Sequence, residues 1–233
     1  MNEILIVPDV HGRQFWRPAL DYKGQIIFLG DYFDPYEKEG IGVDEAYENF
    51  LDIVEFKTEN LDRITLLLGN HELHYFDPAF KYSRKERACY DEMNLILTGS
   101  ETAGLFQACK LVGSYLFSHA GVSYGWYKKH FRELMKRGLT IEDQINTYFH
   151  DSRMVFDEIG IGRGNRDDFG SPMWADLTEI WYEAKHFDPN IFQIVGHSQI
   201  PEGEEPYINK HIACLDNKQL HLLKDHVIVR YDK

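Results

Sequence analysis

Ile4-Leu5-Ile6-Val7-Pro8-Asp9-Val10-His11-Gly12 opens with four consecutive apolar residues that stop at a proline, an aspartate and a histidine. A run this short, rich in Ile, Val and Leu and bounded by turn residues, reads as a buried strand, because a buried helix needs a longer one. The pattern recurs as Ile26 to Leu29 before Gly30-Asp31 and as Ile64 to Leu68 before Gly69-Asn70. It returns as Leu116-Phe117 before Ser118-His119 and as Phe192 to Val195 before Gly196-His197. Helical candidates lie between the runs: Asp44 to Lys57, with apolar Ala46, Phe50, Ile53 and Val54, then Trp126 to Arg137, Ile141 to Phe149 and Leu177 to Lys185. Strand-helix alternation argues for an α/β architecture. From Tyr207 to Tyr231 the character changes, with short apolar runs separated by Asp216-Asn217 and Asp225-His226, which predicts antiparallel hairpins closing a sheet. With no repeat and no long linker in view, one domain over residues 1–233 is the simplest expectation.

Composition narrows the function classes. Apolar residues make up 43% of the chain and aromatics 14%, ample for a real core. Lys and Arg total 25 against 38 Asp and Glu, a net charge of −13, so loose charge-driven binding of nucleic acid is not expected. A phosphate substrate is still compatible, since bound cations reverse the local sign of an acidic site. The three cysteines, Cys89, Cys109 and Cys214, form no C-x-x-C pair and suggest neither a disulfide framework nor a thiolate zinc site. The opening apolar run is too short for a signal peptide, and no stretch approaches the roughly 18 apolar residues of a membrane span. The expectation is a soluble, cytoplasmic protein that engages no membrane.

Each of the five strand ends delivers metal-capable or acid-base side chains: Asp9 and His11, Asp31 and Asp34, Asn70 and His71, His119, and His197. Ligands of open α/β sheets sit beyond the carboxyl ends of strands, so groups placed there can converge. Carboxylate, imidazole and amide oxygen together suit divalent Mn, Fe or Zn, with no soft thiolate among them. Singly, each motif has a plain structural reading: a turn at Gly30-Asp31, a left-handed turn at Asn70, a solvated turn carboxylate at Asp34. Jointly they do not.

The set P-D-V-H-G at 8–12, G-D-Y-F-D at 30–34, G-N-H-E at 69–72, S-H-A-G at 118–121 and V-G-H-S at 195–198 resembles the calcineurin-like metallophosphoesterase superfamily. The likeness is to its phosphoprotein phosphatase and symmetrical diadenosine tetraphosphatase branch. The resemblance implies a four-layer α/β/β/α sandwich with two mixed sheets and a dinuclear metal site at strand ends. It implies that Asp9 and His11 hold the first of two divalent ions, that Asp31 bridges both, and that Asn70, His119 and His197 hold the second. A shared carboxylate offsets the repulsion between two adjacent cations, and the water between them becomes the nucleophile. His71 is then the acid for the leaving-group oxygen, with Asp34 orienting it. The implied partner is a phosphorylated substrate, small molecule or phosphoprotein. The alternatives are a diadenosine polyphosphate or other nucleotide, and a non-catalytic metal-binding interaction module.

Three departures from that pattern matter. The branch carries a phosphate-gripping Arg after the second aspartate of G-D-x-x-D, where this chain has Pro35, which has no donor. Arg13, Arg153, Arg163 and Arg166 are the candidate replacements, the last two in the loop-like stretch from Gly160 to Gly170 ahead of Ser171 to Asp176. Gln199 stands where relatives with G-H-x-H place a further ligand. Of the remaining histidines, His74 alone lies close enough to G-N-H-E to line the site, and Glu72 reads as structural. Tyr32, Tyr36 and Tyr82 are among the aromatics that flank these motifs as candidate cleft walls. Lys81 to Leu105 and Trp126 to Leu177 are expected to shape the entrance.

Overall fold

The computed structural model describes residues 3–80, 84–201 and 203–232, so Lys81 and Tyr82 lie outside the described residues. The chain divides into two compact units: Gln107–Asn217 forms one, and the chain up to Phe106 and from Lys218 forms the other. Each unit carries one mixed sheet, and the whole is a mixed α/β fold.

The first unit holds β1 (Ile4–Val7), β2 (Gln25–Phe28), α1 (Val43–Glu59), β3 (Ile64–Leu67), α2 (Asn70–Phe76) and α3 (Tyr90–Thr98). Strands β4 (Phe106–Gln107) and β5 (Cys109–Val112) follow, then β6 (Tyr115–Ser118), α4 (Tyr124–Leu134), α5 (Ile141–Asp151) and α6 (Leu177–Phe187). The chain closes with β7 (Phe192–Val195), β8 (Tyr207–Ile208), β9 (Ile212–Cys214), β10 (His221–Lys224) and β11 (Val227–Arg230). The six-stranded sheet runs β11-β10-β1-β2-β3-β4 and the five-stranded sheet β5-β6-β7-β9-β8.

In the first sheet β1, β2 and β3 are parallel neighbours, with Val7 opposite Phe28 and Phe28 opposite Leu66, so their carboxyl ends share one edge. All four residues of β1 are buried, as a strand covered on both faces requires. The helical face of α1 buries Ala46, Phe50, Ile53 and Phe56; Val54, expected in that stripe, is only half-buried. In the second sheet β6 and β7 are likewise parallel neighbours.

The tail corrects the sequence reading. Its strands do not close one sheet: β9 lies parallel to β7 and antiparallel to β8, whereas β10 pairs antiparallel with β1 and forms a hairpin with β11. Strand partners are chosen over long sequence separations, which short apolar runs do not encode. Among the described residues no helix is long and apolar enough to cross a membrane.

Candidate active site

Two glycines set the geometry of the first unit's strand exits. Gly30 takes φ +103°, and a Cβ there would fall 2.5 Å from the backbone nitrogen of Gly69. A Cβ on Gly69 would fall 2.2 Å from Asp31 Oδ1. The exits of β2 and β3 therefore approach as only glycine permits. The exit of β1 is tied to the same point, because the Asp31 carbonyl accepts from the amides of both Val10 (3.0 Å) and His11 (2.7 Å). His11, Asp31 and Asp34 all adopt left-handed backbone, φ 46°, 52° and 53°, turning side chains that an extended strand would send elsewhere.

Glu72 is the structural member foreseen for G-N-H-E, and its role is wider than a turn. Its carboxylate accepts from the amides of Gly69 (2.7 Å), Asp31 (2.9 Å) and Tyr32 (2.9 Å). Asn70 does not take a left-handed turn; it is the first residue of α2, and Glu72 at the third position caps that helix. Burial raises the Glu72 carboxyl to about 7 against the pull of those amides.

Around Asp31 negative charge and lone pairs accumulate. Burial, then the like charges of Asp9 and Glu72, push its carboxyl well above the usual range, although the His71 amide donates to Oδ1 at 3.0 Å. His11 donates from Nδ1 to the Phe33 carbonyl at 3.0 Å, which leaves the Nε2 lone pair facing Asp31 Oδ2 at 3.4 Å. Burial, then the nearby charges of His71, Arg84 and Arg13, hold His11 well below its ordinary pKa, so the imidazole faces the gap neutral. A neutral imidazole facing a buried carboxylate is a donor set that fits a divalent cation.

Asp34 is the opposite case. Oδ2 meets His71 Nδ1 at 2.8 Å and His74 Nε2 at 2.7 Å, while Oδ1 accepts from the Tyr75 hydroxyl (2.6 Å) and the Glu86 amide (3.3 Å). Burial alone would raise this carboxyl, but the two imidazoles outweigh it and hold Asp34 well below the usual carboxylate range. Burial lowers His71, the Asp34 contact raises it and Arg84 lowers it further, with a net fall. His74 is wholly buried, behind His71 rather than at solvent. His11, Asp31 and His71 thus form one group of three whose ligand atoms could hold a metal ion, and Asp34, His71 and His74 form another.

In the second unit, His119 and His197 follow β6 and β7, with His119 Nε2 3.0 Å from His197 Nδ1. The Gly196 amide donates to the His119 carbonyl at 2.8 Å, fixing the two exits side by side. His197, too, is left-handed, φ 62°.

The arginines separate clearly. Arg13 is committed to Glu39 through Nε (2.6 Å) and a second nitrogen (3.1 Å), and Glu39 also meets Lys218. Arg163 pairs with Asp176 at 3.0 Å and donates to Ser198 Oγ at 2.6 Å. Arg153 lies over the Phe149 ring, and Arg166 is exposed. The residue missed from sequence is Arg84: one NH2 group donates to the Asp34 carbonyl at 2.7 Å, the other lies 2.8 Å from His71 Nε2. Its guanidinium carbon sits 3.7 Å from the centre of the Tyr36 ring, itself edge-on to His11 at 4.9 Å. Tyr32 belongs to the core, fully buried with its hydroxyl donating to the Leu67 carbonyl, so it forms no cleft wall.

A sequence model of the family described as calcineurin-like phosphoesterase matches residues 3–222. No curated protein matches the sequence. Among solved structures, a cold-active protein-tyrosine phosphatase of a psychrophilic Shewanella species is similar over 99% of this chain and 77% of its own, with a TM-score of 0.60 at 16% identity. A protein serine/threonine phosphatase from Saccharomyces cerevisiae, with similarity to human phosphatase PP5, is similar over 98% of this chain and 78% of its own, with a TM-score of 0.56 at 13% identity. At such identities the likeness is one of fold.

Proposed function

The chain belongs to the calcineurin-like phosphoesterase family and is a metallophosphoesterase, and from that premise we propose that it hydrolyses phosphomonoesters, phosphoserine or phosphothreonine of proteins among them. The observation that carries the reading is the contrast between an electron-rich gap at His11 and Asp31 and a fully compensated imidazole-carboxylate pair at His71 and Asp34. The ligand set we propose for two divalent ions, Mn, Fe or Zn, is Asp9, His11, Asp31, Asn70, His119 and His197. When bound, such ions supply a deprotonated water near neutral pH and offset charge on the phosphate.

The chain's own residues supply the rest. Asp34 Oδ2 fixes the His71 ring through Nδ1, so that Nε2 is the atom that hands a proton to the leaving oxygen. Tyr75 and the Glu86 amide hold the other Asp34 oxygen, and His74 backs the same carboxylate, so the pair is rigid before substrate arrives. Residues 1–233 act in this reading as one catalytic domain, which a single cooperative calorimetric transition would support. Three free cysteines fit a reducing cytoplasm, and the acidic surface disfavours non-specific nucleic-acid binding.

The test is metal analysis of the purified protein together with Mn-dependent phosphate release from an aryl phosphate, alongside Asp31→Asn. Full activity after exhaustive chelation would overturn the reading. Turnover confined to diadenosine polyphosphates would move the substrate class to nucleotides, and inactivity of the metal-loaded protein on a broad ester panel would make it a binding module.

A further inference from the structure

We propose that Arg84 grips the phosphate of the substrate and makes the site prefer a terminal phosphate over a phosphodiester. The inference rests on the phosphomonoesterase reading and deepens it. Position 35, where a donor following Asp34 would begin, is a proline, yet a guanidinium stands beside it: Arg84 donates to the carbonyl of Asp34, the very residue that precedes Pro35. The group is held there on three sides. Tyr36 lies beneath it, the Asp34 carbonyl anchors one arm, and the segment that carries it is pinned two residues later by the Glu86 amide on Asp34 Oδ1 and the Tyr75 hydroxyl.

Its charge remains available. Arg13 spends its fork on Glu39 and Arg163 its charge on Asp176, whereas Arg84 makes no ion pair among the described residues. Of the five N–H donors of a guanidinium, the Asp34 carbonyl uses one, and the donor 2.8 Å from His71 Nε2 is released whenever Nε2 carries the proton it hands on. A half-buried, preorganised and unneutralised fork is the group best matched to paired phosphate oxygens. The 2.8 Å between an Arg84 nitrogen and His71 Nε2 also fixes orientation, since a phosphate held by the fork sets its ester oxygen against the imidazole that serves it. A monoester keeps three terminal oxygens and a diester only two, so losing the fork costs the monoester more.

The experiment compares Mn-loaded wild type, Arg84→Ala and Arg84→Lys by three readouts: calorimetric binding of orthophosphate, kcat and KM on p-nitrophenyl phosphate, and the same on bis(p-nitrophenyl) phosphate. Metal content and thermal melting report integrity. In Arg84→Ala the orthophosphate Kd and the monoester KM should rise about 10- to 100-fold, the range of a lost charge-assisted bond, with a smaller penalty on the diester. Arg84→Lys should recover only part, because an ammonium keeps the charge and loses the fork. A folded, metal-loaded Arg84→Ala with Kd and KM within about 2-fold of wild type overturns the proposal, and so does wild-type phosphate affinity in Arg84→Lys should the alanine variant not fold. If wild type binds orthophosphate but hydrolyses neither ester, the phosphatase reading fails while the Kd ratio still decides the role of Arg84.

Discussion

Asp31 and Asp34 lie three residues apart on one turn, both are buried and both take left-handed backbone, yet their surroundings are opposite. Asp34 is met by two imidazoles, a hydroxyl and an amide, so its charge is compensated by the protein itself. Asp31 sits among burial, Asp9 and Glu72, and the nearest imidazole offers it a lone pair. Burial of a carboxylate beside like charges is among the costlier arrangements a fold can carry. In the proposed mechanism that contrast divides the labour: Asp31 receives a cation and Asp34 steers a proton.

The largest effects should come from removing either charge. Asp31→Asn should lower turnover by about 10³-fold or more with loss of bound metal, whereas Asp34→Asn should lower it by about 10²-fold with metal content intact. Equal metal loss in both variants, read by elemental analysis, would erase the contrast.

Stability should move in opposite directions. In chelator, Asp31→Asn should raise the unfolding free energy by about 1–3 kcal/mol, because it removes a buried charge set against those of Asp9 and Glu72, while Asp34→Ala should lower it by about 3 kcal/mol by stranding two imidazoles. Urea titration at neutral pH reads both.

The pH dependence follows with the same logic. Asp31 and Glu72 are raised on folding, so their stabilising contribution is present when they are protonated and is lost as pH rises through the folded values. For Glu72, pushed from 4.5 to about 7, the metal-free protein should lose up to roughly 3 kcal/mol across that window. Asp34, depressed on folding, contributes above the ordinary carboxylate pKa and loses that contribution as pH falls. His11 and His71, lowered on folding, act in the opposite direction, so the Glu72 contribution should appear as the difference between melts of wild type and Glu72→Gln in chelator, with wild type losing ground to the variant from pH 4.5 to 7. The smallest effect is expected from Tyr75→Phe, which removes one donor to Asp34 Oδ1: about 1 kcal/mol of stability and a few-fold in kcat.

The strand exits were legible because their signal is local: an apolar run, a glycine, then a polar side chain, and β1, β2, β3, β6 and β7 fall where those runs predict. α2 was hidden inside G-N-H-E, although Glu72 three residues after Gly69 is a capping signature that marks a helix start. The division of the tail between two sheets was not legible, since β9 and β10 are similar short apolar runs whose partners lie far along the chain. Arg84 was overlooked for the same reason. It lies in a polar stretch with Lys81, Lys85 and Arg87, where periodicity says nothing, and it reaches Asp34 across fifty residues. The proline at 35 was the available clue that a donor must arrive from elsewhere.

The left-handed turns at His11, Asp31, Asp34 and His197 set folding against chemistry. Each holds a bulky residue where glycine would rest at less cost, a penalty of about 1 kcal/mol or more apiece. Selection for thermal endurance alone would drift these four positions toward glycine or asparagine. Under the proposed function, a descendant that had done so would keep its shape but lose three metal ligands and the carboxylate that orients His71, which would make the identity of these four residues a marker for telling active members of a lineage from retired ones.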